Sequence, residues 1–318
     1  MYCPPRAARR GGTAAGCADV AERIDVGLLV GIIGLDTSHS VEFPRRMQAP
    51  DCPVELRVDG MRARTCLRFA TPFTTQEILD RRQAELESWG VKVTEDPEET
   101  IAGCDALMLE INDPALHLPY FQKCAHAGLP VFIDKPLADS AANGRQIVDV
   151  ARRAGVPIFS ASSLRFTGAL KEACAAIPNP VAASTYGPLG KAPAGSSIVW
   201  YGVHAFEMLQ RALGGGAVEV QTHRDGLGVV CVVRYANARR GVVELSEGGR
   251  TYGGRLQTLE ACAPFTADAA HAYTDQLREV LAFFRTGASP VQIEDTLEVM
   301  AMLDAAERSL QSGKPERV

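Results

Sequence analysis

The stretch GLLVGIIGLDTSHS at residues 27–40 holds this chain's clearest binding chemistry. Its apolar run, 28–33, suits a strand buried on both faces. Gly34 ends the run, and Thr37 and Ser38 offer hydroxyls for a helix start. A buried strand, a tight turn and a helix N-terminus together aim backbone N–H groups at an anion such as a dinucleotide pyrophosphate. Against the usual G-x-G-x-x-G pattern the chain reads Gly34-Leu35-Asp36-Thr37-Ser38-His39. The first glycine is kept. Asp36 puts a carboxylate at the second glycine and His39 puts a ring at the third, where helix and strand pack closely. The candidate phosphate contacts are therefore Gly34, Asp36, Thr37, Ser38 and His39, with weaker binding expected than three glycines would give. Asp59 lies 25 residues beyond Gly34, at the end of a strand predicted over 53–59. An acid there would hold the adenosine ribose and favour NAD. Arg62 and Arg64 nearby keep NADP open.

A second group of reactive types sits at other strand ends. Lys135, in Asp134-Lys135-Pro136, is the only lysine at the end of a predicted parallel strand (131–133), which is where such sheets bind ligands. Asn112-Asp113-Pro114, with His117 just after, follows the apolar run 106–111. His204 belongs to a predicted helix over 197–213 and follows Trp200 and Tyr201, whose aromatic faces could stack on a sugar or a flat substrate. An imidazole exchanges protons near neutral pH.

These residues need a scaffold, and the chain supplies one of ordinary globular composition. Of its 318 residues 46% are hydrophobic and 22% charged, enough for about two domains with real cores. A net charge of −5 argues against nucleic acid or an anionic membrane as partner. No apolar run approaches the roughly 20 residues that span a bilayer. Nine cysteines lack any metal-like spacing, and their scatter fits reduced thiols in a cytoplasm. No metal is expected, although Asp36, His39 and His117 are conceivable ligands for which the sequence offers no geometry. Residues 1–24 are rich in Ala, Arg, Gly and Pro. They read as a disordered extension, an early start codon or a transit peptide.

From 25 to 160 apolar strand runs alternate with helical stretches at 75–89, 117–127 and 141–154, as a doubly wound parallel sheet requires. Residues 60–75 read as an inserted loop. From 161 to 318 the rhythm changes to strands at 181–186, 218–223, 229–235, 241–245 and 252–259, joined by turns and flanked by helices. That is an α+β domain on a largely antiparallel sheet with one face open. The expected fold is thus α/β, Rossmann-like, followed by an α+β substrate domain. The open face predicts a homodimer or homotetramer.

In this order the pieces resemble the Gfo/Idh/MocA family of nicotinamide-dependent oxidoreductases over about 26–315. Ile111-Asn112-Asp113-Pro114 with His117 resembles its A-T-P-x-x-x-H segment. Asp134-Lys135-Pro136 is similar to its E-K-P motif, and Trp200 to Glu207 to its D-x-G-x-H-x-x-D helix. The resemblance implies a catalytic pair. Lys135 would meet developing charge on the substrate oxygen beside the nicotinamide, and His204 would be general acid/base. Pro136 would fix the turn through a cis bond. Asn112, Pro114, His117 and Asp134 would line the nicotinamide side, while Arg165, Trp200 and Tyr201 would face substrate. The implied substrate is a small sugar, cyclitol or related polyol, and the cofactor is NAD or NADP, NAD favoured. Trp200 stands where the family has a carboxylate. Two other functions stay open: redox-neutral acid/base chemistry (elimination, epimerisation or hydrolysis) on the same fold, and a non-catalytic binding subunit.

Overall fold

A computed structural model describes residues 27–318; the expected leader, 1–24, lies outside them. The first sheet is built from β1 (Leu28–Ile33), α1 (His39–Gln48), β2 (Met61–Leu67), α2 (Gln76–Ser88), β3 (Lys92–Thr94), α3 (Pro97–Ile101), β4 (Ala106–Leu109), α4 (His117–Cys124), β5 (Val131–Ile133), α5 (Ala141–Ala154) and β6 (Ile158–Phe159). Its order is β3-β2-β1-β4-β5-β6, and every pairing is parallel. The order reverses between β1 and β4, and the crevice beyond their carboxyl ends is where such sheets bind ligands.

Alternation along each strand feeds two cores. Val30, Ile32, Met108 and Phe132 pack on one face, with Phe43 of α1. Ile33, Leu107, Leu109, Val131 and Ile133 pack on the other, with Phe121 and Ile147. This two-sided burial explains why the strands read as unbroken apolar runs.

The second half adds α6 (Gly168–Ala176), β7 (Ala182–Pro188), α7 (Val203–Leu213), β8 (Ala217–Arg224), β9 (Gly228–Tyr235), β10 (Arg240–Ser246), β11 (Gly253–Gln257), β12 (Cys262–Thr266), α8 (Ala269–Thr286), α9 (Ile293–Ser312) and β13 (Glu316–Arg317). These strands form one sheet, β12-β11-β7-β10-β9-β8-β13, antiparallel except where β7 meets β10. The expected fold class is what the chain adopts. One helix crosses the sequence division: Leu277, Val280 and Phe283 of α8 belong to the first sheet's core, against Phe132 and Phe159. So α8 covers a face of the first sheet although it lies far along the chain.

One strand expectation is overturned. Residues 53–59 hold only a short 3-10 turn, Val54–Leu56, and β2 runs through 61–67, inside the expected loop. The pairing of Leu28 with Met61 places exposed Asp59 at the amino end of the sheet, away from the crevice. Asp59 therefore cannot serve as the ribose acid. The residue leaving the carboxyl end of β2 is Arg68, which bonds Asp80 and Gln83 of α2.

Candidate active site

The turn after β1 is tight because Gly34 takes φ +110°, and a Cβ there would lie 2.3 Å from the carbonyl oxygen of Glu110. Glu110 directly follows β4, so glycine lets the ends of these two central strands close up. Asp36 is 1% exposed. Its carboxylate accepts from the Asn112 amide at 2.8 Å and the Thr71 hydroxyl at 2.7 Å. Burial raises its carboxyl above the ordinary value, while those two hydrogen bonds oppose the rise. The carboxylate thus ties the turn to the ends of β2 and β4 rather than projecting into solvent.

His39 opens α1. Its ring packs edge-on to Tyr273, and Nε2 lies 3.1 Å from the Tyr273 hydroxyl. Nδ1 lies 2.8 Å from Oδ2 of Asp134, at the end of β5. Burial alone would raise Asp134, yet His39 and the Lys135 ammonium hold its carboxyl below the usual range. Glu110 is wholly buried beside them. Burial and then the charge of Asp134 push its carboxyl well above the ordinary value, against the pull of Lys135.

The peptide before Pro136 is cis. Lys135 emerges there and lines a cavity of about 330 Å³ with Ser38, His39, Arg82, Trp200, Tyr201 and His204. His204 stands on α7, whose preceding turn, Ile198–Gly202, is π-helical and carries Trp200 and Tyr201. The Trp200 indole donates to Asn112 Oδ1 at 2.8 Å, so this aromatic bridges from the second domain to the end of β4. His204 Nδ1 lies 2.7 Å from the Ser162 hydroxyl, which also accepts from the Leu164 amide. Burial first, then the charges of Lys135 and His39, depress the His204 imidazole well below its ordinary value, with Asp134 opposing. It is therefore neutral near neutral pH. Tyr252 and Tyr273 complete the wall. Burial pushes the Tyr273 phenol up to about 12, which keeps it a hydrogen-bond donor.

Of the expected residues, Thr37, Ser38, His39, Asn112, Lys135, Trp200, Tyr201 and His204 share this cavity. Gly34, Asp36, Asp134 and the buried Pro114 and Pro136 support it from behind. Besides Asp59, two do not reach it. Arg165 is buried against Glu207 at 3.1 Å and bonds Gln210, an internal ion pair rather than a substrate contact. His117 is fully buried, with Nε2 2.7 Å from the Ile111 carbonyl and Nδ1 3.2 Å from that of Leu137. It ties the ends of β4 and β5 together. Glu110, Ser162, Arg82, Tyr252 and Tyr273 were not expected. Only Glu110, a carboxylate within an apolar run, left a local trace in the sequence.

Could this crevice hold a dinucleotide? The glycines that normally let phosphate approach are gone, but Arg82 donates to the Leu35 carbonyl at 2.9 Å and lines the cavity beside Thr37 and Ser38. A guanidinium beside two hydroxyls at a helix start is a donor set that suits a phosphate. The residues fit the cofactor through side chains instead of bare backbone.

Comparison with known proteins agrees. Residues 29–162 match the family model GFO_IDH_MocA, described as an oxidoreductase family with an NAD-binding Rossmann fold. Among solved structures, GenD2 from gentamicin A biosynthesis, in complex with NAD, superposes with a TM-score of 0.75 at 15% identity, covering 98% of this chain and 99% of that one. Myo-inositol 2-dehydrogenase from Lactobacillus plantarum gives 0.73 at 14% identity, over 92% and 99%. Scyllo-inositol dehydrogenase from Lactobacillus casei, with bound NAD(H) and scyllo-inositol, gives 0.72 at 12% identity, over 92% and 99%. At such identities the likeness concerns the fold. No curated protein matches the chain.

Proposed function

We propose that this chain is an oxidoreductase of the Gfo/Idh/MocA type that moves hydride between a nicotinamide and a hydroxyl or carbonyl carbon of a small sugar, cyclitol or related polyol. The observation that carries this reading is the meeting of Lys135 and His204, from two different domains, on one cavity at the sheet's switch point. When bound, the nicotinamide supplies or accepts the hydride. Thr37, Ser38 and Arg82 hold the phosphate end, with Asn112 beside the ring end. Lys135 offers its ammonium to the substrate oxygen as negative charge grows there, a fixed cation that needs no reorganisation. His204, kept neutral by burial, takes the hydroxyl proton in oxidation and returns it in reduction. Ser162 holds the ring against rotation through Nδ1. The aromatic wall of Trp200, Tyr201 and Tyr252 lies where the apolar face of a sugar ring would stack.

The NAD preference rested on Asp59 and goes with it. Arg68, just beyond the carboxyl end of β2, and Arg82, on the cavity, accommodate NADP at least as well. Absence of nucleotide reduction with both cofactors across a panel of cyclitols, aldoses and uronates, together with a silent calorimetric titration, would reject hydride transfer. A redox-neutral acid/base reaction is favoured by one feature, the His39–Asp134 pair at the cavity. Turnover of a substrate without any nucleotide would select it. We also assign a homodimer or homotetramer to the open face of the second sheet, where Val230, Val232 and Val242 are half-buried on adjacent strands. A monomer by light scattering would overturn that assignment.

A further inference from the structure

Three side chains meet beneath the cavity from three separate elements. His39 begins α1, Glu110 follows β4 and Asp134 follows β5. One nitrogen and two carboxylate oxygens from them lie within 4.8 Å of one another, all buried. His39 Nδ1 is 2.8 Å from Asp134 Oδ2 and 3.9 Å from Glu110 Oε2.

Their polar needs are unmet. Both oxygens of the 0% exposed Glu110 lack a hydrogen-bond partner, as do His39 Nδ1 and Asp134 Oδ2 despite their closeness. The 2.8 Å contact between Nδ1 and Oδ2 is that of an ion pair and leaves both atoms without a hydrogen-bond partner. A cation between them would satisfy both. Ligands in adjacent positions about 2.1 Å from one ion sit roughly 3 Å apart, each well off the other's lone-pair axis. The far ring nitrogen is anchored on the Tyr273 hydroxyl, the outer contact by which metal-bound imidazoles are oriented. Lys135 is the rival cation. Its ammonium meets one of the two buried carboxylate charges, and a divalent ion, or a proton on His39 or Glu110, must meet the other.

We infer that His39, Glu110 and Asp134 form a binding site for a divalent first-row transition ion, Mn²⁺ or Zn²⁺. One imidazole and two carboxylates are the donors such ions take. Because His39 also lines the cavity, the ion has its entry there.

The test uses the full chain after chelator treatment and without nucleotide, so its result is independent of the hydride-transfer reading. Mn²⁺ is titrated against the protein while the free-ion resonance signal is followed, and Zn²⁺ is titrated by calorimetry. One ion per chain is expected, and Glu110→Gln should weaken binding by roughly tenfold or more with circular dichroism unchanged. No saturable uptake at millimolar ion, or equal affinity in Glu110→Gln, overturns the site. Should that variant fail to fold, pulsed resonance on the wild-type Mn²⁺ complex decides. Coupling to one imidazole nitrogen supports the site, and its absence overturns it.

Discussion

Two turns at the same edge of the same sheet have gone different ways. The turn after β5 keeps a lysine on the cavity behind a cis proline. The turn after β1 has exchanged two glycines for side chains that tie themselves inward: Asp36 to Asn112 and Thr71, His39 to Asp134 and Tyr273. Chemistry at one turn asks for a charged group held in place. Phosphate binding at the other asks for bare backbone, and Arg82 beside Thr37 and Ser38 is the proposed substitute. A degraded binding motif therefore does not imply a degraded reaction centre.

The comparison breaks first at Lys135. If the β5 turn carries the chemistry, Lys135→Met should lower turnover about 100-fold or more, roughly 3 kcal/mol in the transition state, with circular dichroism unchanged. Undiminished turnover would remove both catalytic readings. His204→Asn should cost about 100-fold in kcat. The same variant tests the buried imidazole through pH. The folded ring, buried and facing Lys135 and His39 with Asp134 opposing, releases its proton more readily than the unfolded one, whose pKa is about 6.5. Below that value the unfolded chain binds more protons, so stability falls as pH falls. Melting temperature should drop less steeply from neutral to mildly acidic buffer in His204→Asn; parallel slopes would show that His204 does not cause the loss.

On the β1 side, Asp36→Gly restores the second glycine. Dinucleotide affinity by calorimetry should rise by roughly tenfold, about 1.4 kcal/mol. Stability should fall by about 1–3 kcal/mol because two buried hydrogen bonds are lost. Unchanged affinity would mean the turn does not limit binding. Trp200→Asp returns the family's carboxylate beside His204 and gives up the bond to Asn112. Turnover should be kept or rise a few-fold under hydride transfer, whereas abolished activity would favour redox-neutral chemistry. The smallest effect is expected at Arg68. Arg68→Ala should weaken NADP a few-fold more than NAD, since an exposed ion pair contributes about 1 kcal/mol or less; equal losses would take Arg68 out of the site.

Much of the scaffold was legible because burial on both faces of a parallel sheet leaves unbroken apolar runs, and those of β1, β4 and β5 are plain. That Lys135 and His204 would line one cavity was legible through motif order. β2 was not. Its alternation, Met61-Arg-Ala-Arg-Thr, carries arginines outward near a sheet edge, and the competing alternation at 53–59 has the same period. That slip carried Asp59 to the wrong end of the sheet and hid Arg68.

The sequence by itself determined that this chain builds a doubly wound sheet, that a lysine leaves one of its strands at the ligand-binding edge, and that two glycines of the phosphate turn are gone. Those are properties of consecutive residues, where period and spacing carry the information. Tertiary structure alone decided what the replacements do. Arg165 finds Glu207 across 42 positions and Arg46 finds Thr274 across 228. Tyr273 reaches His39 because α8 folds back over the first sheet, and Glu110 faces His39 and Asp134 because parallel crossovers bring three chain-distant strand and helix ends to one edge. Such meetings depend on which elements pack, and packing is fixed by surfaces buried across the whole domain, which no local pattern records.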